Sequence, residues 1–255
     1  GKGFTVDGKL VTFSSHRDFT QVPQYQDSKM EMVMECTGKY LKVKELNQYY
    51  DMGVKRVVVS APVKEEGALN VVLGCNHNLL TEELKLVTNA SCTTNCLAPM
   101  VKVLNDAFGV ERGVMSTIHS YTGDQRLLDT PHSDLRRARS AAVNIIPSST
   151  GAARAIGEVI PELKGKLNGG AFRVPTPTGS VTDFTAQLKN KTTVEEMNAK
   201  FKEAAEGELK GILEYSEEEP VLMDIVGNPH SCIFDADGTL GMGGDLVKAV
   251  GGDVN

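Results

Sequence analysis

Three short apolar runs, Met30–Met34, Val57–Ser60 and Val71–Gly74, restrict the opening part of this chain most. A helix-period pattern at Val43, Leu46, Tyr49 and Tyr50 separates the first two. Such short runs suit strands, and strands that alternate with helices suit a parallel sheet covered on its faces. The pattern predicts the later strands of a nucleotide-binding parallel sheet, where ligands sit at the carboxyl ends of strands. Two strand ends qualify: Glu35-Cys36-Thr37-Gly38 and Ser60-Ala61-Pro62. Taken alone, each is equally well an ordinary strand-to-helix turn. Ahead of them, Phe4–Phe13 reads as two alternating strands about an Asp7-Gly8 turn, a hairpin. No Gly-x-Gly-x-x-Gly follows a first strand, and no acidic residue closes a second, so the usual pyrophosphate and ribose anchors are missing from the sequence.

The second constraint is the junction Lys85–Pro99. Leu86–Ala90 reads as a buried strand, and Leu97, Met100, Val101, Val103 and Leu104 repeat at helical spacing, so Cys92 falls at a helix N-terminus. There the macrodipole favours the thiolate, the nucleophilic form. Ser91, Thr93 and Thr94 add hydroxyls that cap a helix or meet an anion. The plain alternative is a small buried hydrophobe ahead of a helix. Cys96, one turn on, raises a disulfide or a metal pair. A zinc site wants a second Cys/His pair of similar spacing, and Cys36, Cys75, Cys232 and the five histidines offer none, so no metal is expected.

Beyond the junction, Val114–His119 reads as a strand ending in a histidine, 27 residues after Cys92. That spacing permits an adjacent Cys/His pair, although a lone strand-end histidine is also an ordinary surface or satisfied side chain. Leu127–Ile146, with Arg126, Arg136, Arg137 and Arg139 in or beside it, reads as a solvated basic loop. In Pro147–Ile156, hydroxyls and a glycine open an alanine-rich helix; this is an anion site or simple capping by Ser149 or Thr150. Arg173 stands between apolar residues and calls for an anionic partner. Ser180–Leu188 alternates as a strand, and Thr192–Leu213, with Thr193 as cap and Glu195-Glu196 in its first turn, is an amphipathic helix. Ser231–Ala236 and Asp245–Val250 read as two antiparallel strands.

The charge of -6 argues against nucleic acid or an anionic membrane as primary partner, and no apolar run is long enough to span a bilayer. Five cysteines without framework spacing suggest a reducing compartment. The chain opens inside a hairpin pattern without an initiator Met, which is expected of a fragment.

Ser91-Cys92-Thr93-Thr94-Asn95-Cys96-Leu97-Ala98-Pro99 resembles the active-site signature of phosphorylating glyceraldehyde-3-phosphate dehydrogenases, and the similarity runs from about Met30 onward. The resemblance implies an α/β fold: a Rossmann-like parallel-sheet NAD(P) domain, N-terminally incomplete, over residues 1–91, then an α+β catalytic domain with a mostly antiparallel sheet over 92–255. It implies that Cys92 attacks an aldehyde and His119 moves the protons, leaving a thioester that phosphate cleaves. Arg173 and Thr122, with Asp124 orienting the arginine, would hold the substrate phosphate. Ser91, Thr150 and Gly151 would hold the attacking phosphate, and Thr93 and Arg137 complete the anion contacts. The cofactor implied is NAD, with NADP as alternative, met by Thr37, Gly38, Ser60 and Asn255. A homotetramer is implied, and a cytoplasmic location, with a plastid as alternative. Three departures bear on the cofactor: Gly123 replaces an asparagine, Cys36 a serine or threonine, and Gly251-Gly252-Asp253-Val254 an aromatic Trp-Tyr pair. Other readings remain open: an erythrose-4-phosphate dehydrogenase, a cofactor-independent cysteine acyltransferase or hydrolase, and a non-catalytic binding protein.

Overall fold

In a computed structural model of the chain, residues 3–27 and 30–254 are described. They form two compact units, one of residues 1–70 with 80–89 and the other of residues 71–79 with 90–255.

The first unit begins with a hairpin, β1 (Gly3–Val6) and β2 (Lys9–Thr12), about Asp7 and Gly8, both at positive φ. A short helix, α1 (Gln24–Asp27), precedes β3 (Met32–Glu35), α2 (Val43–Leu46), α3 (Gln48–Asp51), β4 (Arg56–Val59), β5 (Leu69–Asn70) and β6 (Leu86–Thr88). Strands β3, β4, β6 and β5 pair in that order, all parallel. The helical spacing of Val43, Leu46, Tyr49 and Tyr50 becomes two single-turn helices. Leu46 and Tyr49 pack into a core with Val54, Val57, Val59, Val63 and Leu86. One expected strand is not formed. Val72 donates its N–H to the Asn76 side chain at 2.8 Å and the chain turns at Gly74, φ +80, so the run Val71–Gly74 is a turn whose Val72 sits in the core of the second unit.

The second unit contains α4 (Cys92–Phe108), β7 (Val110–Ser120), β8 (Ile146–Ser149), α5 (Ala152–Val159), β9 (Leu167–Val174), β10 (Ser180–Leu188), α6 (Val194–Glu206), β11 (Leu213–Ser216), β12 (Cys232–Met242) and β13 (Leu246–Asp253). The strands join in the order β11-β12-β13-β10-β7-β9-β8. β7/β9 and β11/β12 run parallel and the remaining neighbours antiparallel. Helix α4 lies on this sheet and buries Cys96, Leu97, Met100, Val101, Val103 and Leu104. On α6, Phe201 stacks on Phe234 of β12 with ring centroids 3.8 Å apart, and both rings are fully buried. Burying one such ring contributes roughly 1.5–3 kcal/mol. The Thr193 cap is reciprocated by Glu196, but α6 ends before the expected Leu213 because the chain breaks at Gly207, a residue without a Cβ.

The register of the sheet fixes the site. Ser180 of β10 pairs with Asp253 of β13 on one side and with His119 of β7 on the other, and His119 pairs with Arg173 of β9. Paired residues point to the same face of a sheet, so these four polar side chains form one row across four strands.

Candidate active site

Cys92 is the first residue of α4, and Ser91 caps the helix, its Oγ accepting from the N–H of Thr94 at 3.2 Å. The residue before the cap, Ala90, has φ +52, a conformation that costs a non-glycine residue free energy and is held here by burial. The turn aims the thiol at the sheet, where the Sγ of Cys92 lies 3.4 Å from the Nε2 of His119. Thr93 is buried, with its Oγ1 4.0 Å from the same sulfur. The expected cysteine–histidine pair is present.

On the far side of the imidazole, Nδ1 lies 2.9 Å from the carbonyl oxygen of Ser120 and 2.8 Å from the Nη1 of Arg173. The two neighbours favour opposite tautomers. Donation from Nδ1–H to the carbonyl leaves Nε2 with a lone pair toward the thiol, whereas donation from Arg173 to Nδ1 puts the proton on Nε2.

Electrostatics depart from the expectation of a thiolate favoured by the helix terminus. Burial, with the Asp253 charge second, pushes the Cys92 thiol up, while the N–H and hydroxyl of Thr93 and the charge of Arg173 pull it down less. Burial and the Arg173 charge hold His119 below its ordinary value. Both shifts favour the uncharged forms, because burial leaves a thiolate or an imidazolium less well solvated than in water.

Arg173 carries the charge expected of it, and burial pushes it down from its ordinary value. Its Nη1 also donates to the Ser120 carbonyl at 2.8 Å, while its Nε is buried with no hydrogen-bond partner. The expected pairing with Asp124 is not a hydrogen bond. Asp124 accepts from the Thr122 hydroxyl and is ion-paired with Arg137, so it acts on Arg173 through charge alone. Arg137 is held further by the Oγ of Ser148 at 2.6 and 2.9 Å, a partner the sequence did not single out. Thr150 and Gly151 precede α5: the N–H of Ala152 donates to the Thr150 Oγ1 at 3.2 Å, and open space surrounds Gly151. Gly151, not Ser149 or Thr150, stands at the cap position.

In the first unit, Thr37 and Gly38 follow β3 and Ser60 follows β4, so the parallel pairing brings them to neighbouring strand ends, all exposed. Glu35 organises this loop: it is buried, takes the Thr37 N–H at 2.7 Å, and accepts from the Tyr49 hydroxyl at 2.5 Å. Gly38, at φ +68 with open space around it, leaves backbone accessible, which fits an edge that meets a dinucleotide. Asn255 lies outside the described residues. Among the described residues, no three His, Cys, Asp or Glu side chains are grouped to hold a metal, and no helix is long and apolar enough to cross a membrane.

Residues 91–252 match the family description "Glyceraldehyde 3-phosphate dehydrogenase, C-terminal domain". The chain belongs to the glyceraldehyde-3-phosphate dehydrogenase family. It is 50% identical to glyceraldehyde-3-phosphate dehydrogenase 1 of Bacillus subtilis (strain 168) over 251 residues, 98% of this chain and 74% of that protein. The protein of the same name from Bacillus cereus is 52% identical over 246 residues, 96% of this chain and 73% of its own. Glyceraldehyde-3-phosphate dehydrogenase of Mycobacterium avium is 56% identical over 210 residues, 82% of this chain and 62% of its own.

The departures from the glyceraldehyde-3-phosphate dehydrogenase pattern now have surroundings. A Cβ on Gly251 would meet the Cys232 Sγ and the Met100 Sδ, each at 2.8 Å, so the sulfur-bearing side chains fill the space a larger residue would take. Gly123 has open space around it, so a side chain there would meet nothing in this unit. Sequence reasoning did not select Ser180 or Asp253, the other two members of the polar row; their inward positions in alternating strands were the available signal.

Proposed function

We propose that this chain carries out the phosphorylating oxidation of glyceraldehyde 3-phosphate to 1,3-bisphosphoglycerate with a nicotinamide cofactor. One observation carries the reading: the Cys92 Sγ lies 3.4 Å from the His119 Nε2, and that imidazole adjoins a half-buried arginine whose buried Nε has no partner. A nucleophile, a base and a vacant cationic donor in one place suit a phosphorylated carbonyl substrate.

The substrate phosphate takes up the free donor capacity of Arg173, with Thr122 beside it. Drawn toward that anion, the guanidinium leaves Nδ1 of His119 to donate to the Ser120 carbonyl, and Nε2 is then free to accept the Cys92 proton. The sulfur bonds to the aldehyde carbon as the carbonyl π pair moves to oxygen. The Cys92 N–H, at the open end of α4, and the protonated His119 steady that oxygen. Thr37, Gly38 and Ser60 would hold NAD(P), which when bound would supply the hydride acceptor that the oxidation requires. Inorganic phosphate held by Thr150, Gly151 and Arg137 then attacks the thioester carbon, and the thiolate leaves and is reprotonated.

Replacing Cys92 by Ser tests this reading. Nicotinamide reduction dependent on the aldehyde and phosphate should disappear while the fold persists; reduction at the parent rate would refute it. Comparing NAD with NADP in calorimetry assigns the cofactor.

Self-association forms part of the proposal. Leu127, Leu128, Leu135, Val143 and Ile145 of the basic loop are all exposed, more apolar surface than a lone chain gains from leaving in water. Sedimentation equilibrium showing a tetramer would agree, and a monomer at micromolar concentration would not.

A further inference from the structure

Ser148 is the third residue of the edge strand β8, which pairs with β9 so that Ile146 lies opposite Arg173 and Ser148 opposite Ala171. Arg173 in turn pairs with His119. Paired residues, and residues two apart on a strand, share a face, so the Ser148 side chain stands on the sheet face that carries the imidazole and the guanidinium. Its Oγ accepts from both the Nε and the Nη2 of Arg137, at 2.9 and 2.6 Å. Asp124 takes the Nη1 end of the same guanidinium, and Asp134 lies farther off, 3.8 Å from Nε. One hydroxyl thus fixes the plane of a cation that the loop between β7 and β8 carries on a long, rotatable stem. The strand then runs on into Thr150 and Gly151, the other groups assigned to the attacking phosphate.

We propose that Ser148 is a positioning residue that holds Arg137 ready for the attacking phosphate, and so makes phosphate the favoured partner of the acyl group on Cys92. The proposal rests on the reading of Arg137, Thr150 and Gly151 as phosphate contacts. An arginine left to sample its rotamers must be ordered when an anion arrives, and that entropy is subtracted from binding. The ion pair with Asp124 restrains one end only, and a charge pair tolerates rotation about that end. Two donors meeting one oxygen do not, because they set the plane of the fork in which a phosphate is met. A second cation makes the tether more necessary. Arg137 acts by charge on Arg173, so repulsion between the two favours swinging an untethered Arg137 away from the site. An acyl donor or acceptor without a phosphate needs no such cation, and loss of the Ser148 hydroxyl leaves its reaction untouched.

Acetyl phosphate probes this site without aldehyde or nicotinamide. The Cys92 sulfur bonds to the acetyl carbon, the C–O bond to phosphate breaks and phosphate leaves with the electron pair, while His119 holds the proton that came from sulfur. S-acetyl Cys92 and inorganic phosphate result, the reverse sense of thioester cleavage by phosphate. p-Nitrophenyl acetate delivers the same acetyl group from a leaving group without phosphate. Both reactions are followed by the mass of the Cys92 peptide in the parent chain, Ser148→Ala and Ser148→Thr. Ser148→Ala should slow acetylation by acetyl phosphate about tenfold and by the ester less than about twofold, while Ser148→Thr, which keeps the hydroxyl, should stay near the parent. Ser148→Val, the shape of threonine without its hydroxyl, should match alanine and serves if alanine loosens the strand. A hydroxyl-free variant that matches the parent on acetyl phosphate, or that slows equally with both reagents, would overturn the proposal alone. A parent acetylated by the ester but not by acetyl phosphate would instead refute the phosphate contacts, and one unreactive toward both would refute Cys92 as nucleophile; either result takes the proposal with it.

Discussion

The Nη1 of Arg173 lies 2.8 Å from the Nδ1 of His119, so the cation proposed to receive the substrate anion also borders the base proposed to take the nucleophile's proton. Anion binding and base readiness are coupled at one nitrogen. Burial and this arginine hold His119 below its ordinary value of about 6.5, and burial with Asp253 holds Cys92 above the ordinary thiol range. The active pair carries one proton, shared between sulfur and imidazole. It is lost to a second proton as pH falls through the lower value and to deprotonation as pH rises through the upper one. A plot of kcat/KM against pH should therefore be a broad bell, its acid limb below pH 6.5 and its alkaline limb above 8.5. An acid limb above 7 would contradict the geometry.

Replacing Arg173 with Leu removes a charge-assisted clamp worth about 1.5–3 kcal/mol. The expected loss in kcat/KM is about ten- to a hundredfold for glyceraldehyde 3-phosphate and far smaller for unphosphorylated glyceraldehyde. With the neighbouring cation gone, the acid limb should also move to higher pH. Equal losses on both aldehydes would mark Arg173 as structural.

Thiol labelling separates the five cysteines by surroundings. Cys36 is exposed, Cys96 and Cys232 are buried, and burial pushes Cys75 up to about 12. In the presence of a seated phosphorylated ligand, alkylation of Cys92 should depend on His119, so His119→Asn should slow it at least tenfold while Cys36 labels at its parent rate. Equal slowing at both sites would point to altered folding.

The stacked pair Phe201 and Phe234 anchors α6 to the sheet far from the chemistry. Phe201→Ala should cost about 3–5 kcal/mol through lost burial and the cavity left behind. A denaturant titration reads this directly. A cost below 1 kcal/mol would mean that the helix is not held by this contact.

Most strands were legible because their signals are local. Ser180–Leu188 alternates cleanly and is found with those bounds, and Asp7-Gly8 announces its hairpin. The run Val71–Gly74 misled because an apolar run says only that it will be buried; Asn76 takes the Val72 N–H a strand would have offered. The catalytic pair could be anticipated from residue types, but the charge state could not. Helix position argues for a thiolate, whereas burial pushes the thiol up, and the charge of Asp253, from a distant part of the chain, pushes the same way. Likewise the partner of Asp124 is Arg137, not Arg173, a choice made by the path of the loop between β7 and β8.

The most direct test is whether Cys92 becomes acylated. The protein carrying this sequence is mixed with glyceraldehyde 3-phosphate and NAD(P) in phosphate-free buffer, quenched with acid and mapped by peptide mass. The account predicts a phosphoglyceroyl thioester on the peptide containing Cys92, formed in step with nicotinamide reduction and discharged when phosphate is added. Nicotinamide reduction with the acyl group on another residue, or turnover with no acyl-enzyme under these conditions, would contradict it.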